Sequence, residues 1–204
     1  MITRRAARPL PTLLAVLGAT IAIALAPVTA GAATRVVEMG FSDFSPSGLT
    51  LSRGDEVRWI NDSPLDHDVK STAPAKYFSS GRAGGIGIGE QYSFTFRSAG
   101  RFSYHCSVHP GMDGSVTVPL RITTLYGPLR YRITVASSSA SSPWKHEIQV
   151  QKPGSSSWTR IALTSATSVT YDPSKRGSYD FRTRVTNVNT GADSGWSPTV
   201  SRTY

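Results

Sequence analysis

Tyr104-His105-Cys106-Ser107-Val108-His109-Pro110-Gly111-Met112-Asp113-Gly114 is the stretch on which the reading of this 204-residue chain turns. It contains the only cysteine. Cys106, His109 and Met112 follow one another at intervals of three. A short loop between two strands can point all three side chains at one centre. A thiolate and imidazoles bind copper in both oxidation states, and a thioether is a soft, weak axial donor suited to it. The trigonal plane of such a site needs a second imidazole from elsewhere. His67 is the candidate, at the start of a strand-like segment that follows Asn61-Asp62-Ser63-Pro64.

Each member has a plainer role when taken alone. Met112 would be core filler, and His109 or His67 a satisfied or surface histidine. A lone cysteine in an exported protein would be a small buried apolar residue. Together they are harder to dismiss. Zinc competes, but methionine is not among its usual ligands. A Cys–His nucleophile competes too, using Cys106 with His67 or His109, but it leaves Met112 unused. His105 alternates to the other side of the strand from Cys106 and is expected to be a surface or packing residue. His146 is assigned no role.

Outward from this loop the pattern is all β. Short alternating or β-branched runs are separated by Gly, Pro, Asn, Asp and Ser. The expected strands are 35–39, 49–52, 56–61, 67–71, 91–97, 101–105 and 115–118. No window reads as an amphipathic helix. Residues 81–89 hold five glycines; with no Lys-Ser/Thr following, they read as a flexible loop rather than a phosphate loop. A second unit begins near Leu120, with expected strands 131–136, 146–151, 159–163, 168–171, 179–186 and 198–203. Tyr126-Gly127-Pro128 is expected at or near the junction.

At Trp59-Ile60-Asn61, His67-Asp68-Val69 and Tyr104 to Met112, the chain resembles the cupredoxins, the plastocyanin–amicyanin–pseudoazurin group. The Cys-x2-His-x2-Met spacing is most similar to the amicyanin or pseudoazurin loop. The resemblance covers about residues 34–118. It implies a Greek-key β-sandwich with one type 1 (blue) copper ion near one end. It also implies His67, Cys106, His109 and Met112 as ligands, and electron shuttling to a redox partner protein. Many relatives carry Asn after the first ligand histidine, where it helps tie the ligand loops together. Here that position is Asp68, a carboxylate that either lowers the reduction potential or faces solvent.

Tyr179-Asp180-Phe181-Arg182-Thr183-Arg184-Val185, followed by Gly195-Trp196-Ser197-Pro198, resembles a fibronectin type III domain. Tyr179 stands at the tyrosine-corner position. This resemblance implies a second, immunoglobulin-like β-sandwich over about residues 120–204, acting as a binding or spacer module. The early-strand core tryptophan of that family is absent, and Trp144 or Trp158 is left to fill its space.

Residues 1–33 read as a secretory signal peptide: Arg4, Arg5 and Arg8, an apolar run over 12–28, then small residues. The run is shorter than the ~20 residues of a membrane span. The expected product is secreted or extracytoplasmic, with no membrane span in the mature chain. The net charge of +9 divides unevenly. Residues 34–119 carry eight Lys/Arg against nine Asp/Glu, a net of −1, and residues 120–204 carry eleven against four, a net of +7. The basic second unit suits an anionic cell-envelope component or a simple solvated face. It lacks the aromatic-interleaved motifs of nucleic-acid readers. No second histidine cluster or nucleophile pair accompanies the site, so the expectation is a non-enzymatic electron carrier. Copper storage or delivery, or an envelope-associated binding module, is the alternative.

Overall fold

The computed structural model describes residues 31–72, 76–127 and 129–204. The leader reading of residues 1–33 falls mostly outside them. Ala33 itself is tied to the fold, its N–H donating to Asp55 Oδ1 at 3.0 Å. Every regular element among the described residues is a β-strand, and no helix there is long and apolar enough to cross a membrane.

Eight strands build the first sandwich: β1 (Thr34–Met39), β2 (Phe44–Ser45), β3 (Gly48–Thr50), β4 (Glu56–Asn61), β5 (Lys70–Ser71), β6 (Gln91–Thr95), β7 (Gly100–His105) and β8 (Asp113–Val118). One sheet runs β2-β1-β4-β6 and the other β3-β8-β7-β5. Alternation explains the two central strands. In β4, Val57, Trp59 and Asn61 are buried while Glu56, Arg58 and Ile60 are half-buried. In β7, Phe102 and Tyr104 point inward and Arg101 and Ser103 outward. The inward rings meet between the sheets, Trp59 edge-on to Tyr104 at 5.3 Å and stacked on Phe78 at 5.8 Å. Tyr104 lies across its register partner Gly114, where any Cβ would overlap the phenol ring.

Seven strands follow: β9 (Arg121–Leu125), β10 (Arg130–Thr134), β11 (Trp144–Gln151), β12 (Trp158–Thr164), β13 (Ser168–Tyr171), β14 (Ser178–Asn187) and β15 (Val200–Thr203). They form a three-stranded sheet β13-β10-β9 and a four-stranded sheet β12-β11-β14-β15. Tyr131, Ile133, Ile148, Val150, Tyr179 and Phe181 fill this second core. Neither Trp144 nor Trp158 enters it. Trp144 sits edge-on to Tyr77 of the first sandwich at 5.1 Å, and Trp158 is covered by the Arg182 guanidinium at 4.1 Å.

Two expectations change. The strand expected over 67–71 shrinks to Lys70–Ser71, because His67 exchanges both backbone hydrogen bonds with Ile86 and the Asp68 N–H turns to the Cys106 sulfur. Tyr126-Gly127 belongs to the turn between β9 and β10, Pro128 is outside the described residues, and Pro119-Leu120 lies between β8 and β9. The sandwiches share one compact unit. Ala99 N–H donates to Val135 C=O, Ser137 N–H to Arg97 C=O, and Arg101 and Gly195 exchange a pair of bonds.

Candidate metal centre

Two loops deliver the donors. Cys106 and His109 come from the turn between β7 and β8, where Cys106 N–H donates to Met112 C=O at 3.0 Å and Met112 N–H to His109 C=O at 3.2 Å. Gly111 takes φ +82° at the tip of this turn, a conformation that side chains with a Cβ resist. His67 arrives from the segment after β4. The result is a cluster in which one donor atom each of His67, Cys106 and His109 lies within 4.8 Å of the others. Cys106 Sγ is 3.7 Å from His67 Nδ1 and 3.5 Å from His109 Nδ1. Metal–sulfur and metal–nitrogen bonds of about 2.3 and 2.0 Å, opening at about 120°, need sulfur and nitrogen about 3.7 Å apart. The donor spacing therefore fits a trigonal metal plane. Met112 is buried on the same loop.

His67 is fully buried and Cys106 nearly so, whereas His109 is half-exposed. His109 thus reaches solvent while Cys106 is nearly closed off from it. Burial, then the neighbouring His109, hold the His67 imidazole below its usual pKa despite the opposing Asp68 and Asp66. That favours the neutral ring a metal needs.

The surrounding hydrogen bonds suit a His67 ring whose Nδ1 is the free nitrogen. His67 Nε2 lies 2.9 Å from Ser63 Oγ. With Nδ1 facing the sulfur, Nε2–H donates to Ser63 Oγ, and the Ser63 hydroxyl donates to Asn61 Oδ1 at 3.0 Å. Asn61 in turn donates through Nδ2 to Leu65 C=O at 2.7 Å and Ile86 C=O at 2.9 Å. Such outer partners orient a ligating histidine. Asn61 carries the resemblance in sequence, but its task, and all of Ser63's, emerge only here. The one sequence signal is a hydroxyl four residues before the histidine.

Asp68 does not face solvent. Its carboxylate is fully buried and accepts from Ser107 N–H at 2.7 Å, Ser107 Oγ–H, Gly84 N–H at 3.1 Å and Lys70 Nζ at 3.2 Å. Burial alone would push this carboxyl up, but the Ser107 contacts, then Lys70 and Gly84, outweigh it and hold its pKa below the usual range. Asp68 N–H approaches Cys106 Sγ at 3.5 Å. The glycine-rich segment is thereby part of the site's scaffold: Gly84 grips Asp68, and Ile86 bridges His67. His105 pairs with Lys70 and Asp113 in the sheet and stands outside the donor cluster, as its strand position implied.

A thiolate and two imidazoles converging at the end of a β-sandwich define a copper-binding protein of the type 1 class. Residues 32–119 match the model of the copper binding proteins, plastocyanin/azurin family. The chain is 34% identical over 84 residues to the plastocyanin of Scenedesmus fuscus, 37% of this chain and 85% of that one. It is 32% identical over 83 residues to the amicyanin of Paracoccus denitrificans, 41% of this chain and 63% of that protein's length. Among solved structures, the reduced Cu(I) form of an amicyanin mutant is 33% identical over 45% of this chain and 86% of its own, with a TM-score of 0.37. The chain belongs to the copper-binding plastocyanin/azurin family. His67, Cys106, His109 and Met112 form its candidate type 1 copper site.

Proposed function

We propose that this is an exported protein that holds one copper ion between His67 Nδ1, Cys106 Sγ and His109 Nδ1, with Met112 as the axial donor, and passes single electrons to and from a redox partner protein. The convergence of the three donor atoms within 4.8 Å carries this reading. Copper supplies a one-electron couple between its cuprous and cupric states. The chain's part is to keep the donors still while the charge changes. Ser63 fixes the His67 ring, Asp68 N–H steadies the thiolate, and the Asp68–Ser107 contacts join the loop carrying His67 to the loop carrying Cys106 and His109. The half-exposed edge of His109 is the short route between the site and a partner. Burial of His67 and Cys106 gives a copper acceptor no direct approach, which favours electron transfer over copper delivery.

The second sandwich we infer to be fibronectin type III-like, starting near residue 120. Its three- and four-stranded antiparallel sheets support this, as does Tyr179, whose hydroxyl donates to Lys175 C=O at 2.8 Å and accepts from Lys175 N–H at 3.0 Å in a tyrosine corner.

The test is to titrate copper into the purified apo-protein while recording visible absorption and a voltammogram. One equivalent should give an intense blue band from sulfur-to-copper charge transfer and a reversible one-electron wave. Cys106→Ser should abolish the colour with the β-sandwich intact by circular dichroism. A Cys106→Ser protein that still turns blue would sink the assignment.

A further inference from the structure

Three arginines of the second sandwich stand close together on the outer face of the β9–β10 pair. On β9, Arg121, Thr123 and Leu125 alternate on the outer face, and on β10, Arg130, Arg132 and Thr134 do the same while Tyr131 and Ile133 point inward. Arg132 stands opposite Thr123 on one side and Thr170 on the other. Arg130 and Arg132 are two residues apart on one strand, about 7 Å. Arg121 is the diagonal neighbour of Arg132 across the β9–β10 pair, again about 7–8 Å. Arg53 extends the row from the first sandwich: its guanidinium donates to Pro119 C=O, and its pKa is lowered by burial and by the adjacent charge of Arg121.

Three cations elsewhere among the described residues are paired. Arg184 pairs with Glu147 and Asp193, Lys70 with Asp68, and Arg58 with Glu56. Among the described residues, none of Arg53, Arg121, Arg130 and Arg132 makes an ion pair. Asp172, the residue after β13, follows the pairing of Tyr171 with Tyr131 and would fall beside Arg130, yet it forms no ion pair with it. Four neighbouring guanidiniums that form no ion pair repel one another.

We propose that the row Arg130–Arg132–Arg121–Arg53 is a track for a linear phosphodiester polymer of the cell envelope, a poly(polyol phosphate), which tethers the copper domain there. The chemistry is the arginine fork, which takes phosphate oxygens two at a time, with the Thr123 and Thr170 hydroxyls as flanking donors. The geometry favours an extended polymer. The cations form one line along an exposed sheet face, where a membrane surface would call for a two-dimensional field. A phosphate repeat separated by a three-carbon polyol suits arginines at this interval. The track does not depend on the copper site, so the two readings stand or fall separately.

The experiment uses the full copper-loaded chain and purified poly(glycerol phosphate), with binding measured calorimetrically at low and high salt. Binding should weaken steeply with salt, since each neutralised phosphate releases counterions. Arg130→Gln/Arg132→Gln should lose at least about ten-fold in affinity at low salt and about half of the salt slope. Lys152→Gln/Arg160→Gln, two exposed cations outside the track, should bind as the parent does. An unchanged visible band and melting temperature certify each variant. Three results would overturn the proposal: equal loss in the two variants, no loss in the arginine variant, or equally tight binding of poly-glutamate or anionic phospholipid vesicles.

Discussion

Asp68 and Ser107 are joined twice, the buried carboxylate of one accepting both the backbone N–H and the hydroxyl of the other. Asp68 follows His67, and Ser107 follows Cys106, so this pair clasps two ligand-bearing loops at the residues next to the donors. A neutral amide can keep one of these bonds but brings no charge. Asp68→Asn should therefore leave copper bound and raise the reduction potential, because a buried anion near the thiolate favours the oxidised site. Lys70 at 3.2 Å offsets part of the charge. An effect of about 1 kcal/mol corresponds to roughly 40 mV for one electron. Voltammetry showing an unchanged or lower potential would refute this.

Met112→Leu should also keep copper, held by the three stronger donors, and raise the potential by removing a donor to the oxidised ion. The expected size is on the order of 1–2 kcal/mol, or roughly 50–90 mV. The same potential in both proteins would mean that the thioether does not reach the metal.

Ser63→Ala removes the partner of His67 Nε2 while leaving all four proposed ligands. Outer-partner losses of this kind cost about 10–100-fold in metal affinity. Competition with a chelator of known strength measures it. Because the ring can then rotate, the blue band should also broaden or shift. Affinity equal to the parent's would show that packing alone fixes the ring.

Gly114→Ala places a methyl group in the Tyr104 ring. The ring is held by Phe44 at 4.9 Å and Trp59 at 5.3 Å, so it has little room to yield. Overpacking should destabilise by about 1–3 kcal/mol, read as a lower melting temperature of the copper-free protein. A melting temperature within one degree of the parent's would show that β8 shifts freely.

His146 gives a pH dependence at the junction of the sandwiches. It is fully buried. Nδ1–H donates to Ala166 C=O at 3.1 Å, so Nε2 accepts from Ser98 Oγ–H at 3.0 Å, and Tyr77 OH donates to Ser98 Oγ at 3.2 Å. Burial lowers its pKa, with the Ala166 bond opposing. Above about pH 6.5 the ring is neutral both folded and unfolded, and its contribution is constant. As pH falls below that value the unfolded chain takes up a proton that the folded chain refuses, and stability declines by up to about 1.4 kcal/mol per pH unit until the folded pKa is passed. His146→Gln should remove this component. Urea unfolding of copper-free parent and variant at pH 7.5 and 5 compares them, with the His67 contribution common to both. Identical acid losses would exclude the role.

Most strands were legible because their alternation is strict. β4 and β14 show it, burying every second residue over six and eight positions. The two strands that escaped notice, Phe44–Ser45 and Arg121–Leu125, are a two-residue bridge and an edge strand whose outer face is arginine and threonine. The expected strand over 67–71 failed for a different reason. Its backbone groups were spent on the Gly-rich segment and on a cysteine sulfur, and no local pattern announces such partners.

The sequence by itself determined the proposed donor set, since a lone Cys, two His and a Met leave few chemistries open, and it determined the division of charge between the two halves. Only the tertiary structure decided what Asp68 contacts, which groups meet the two nitrogens of His67, and that four arginines from three separate segments stand near one another. Ligand identity is a property of side-chain chemistry, readable residue by residue. Orientation, burial and charge alignment depend on which distant segments pack together, and folding fixes those partners through contacts that no short stretch of sequence contains.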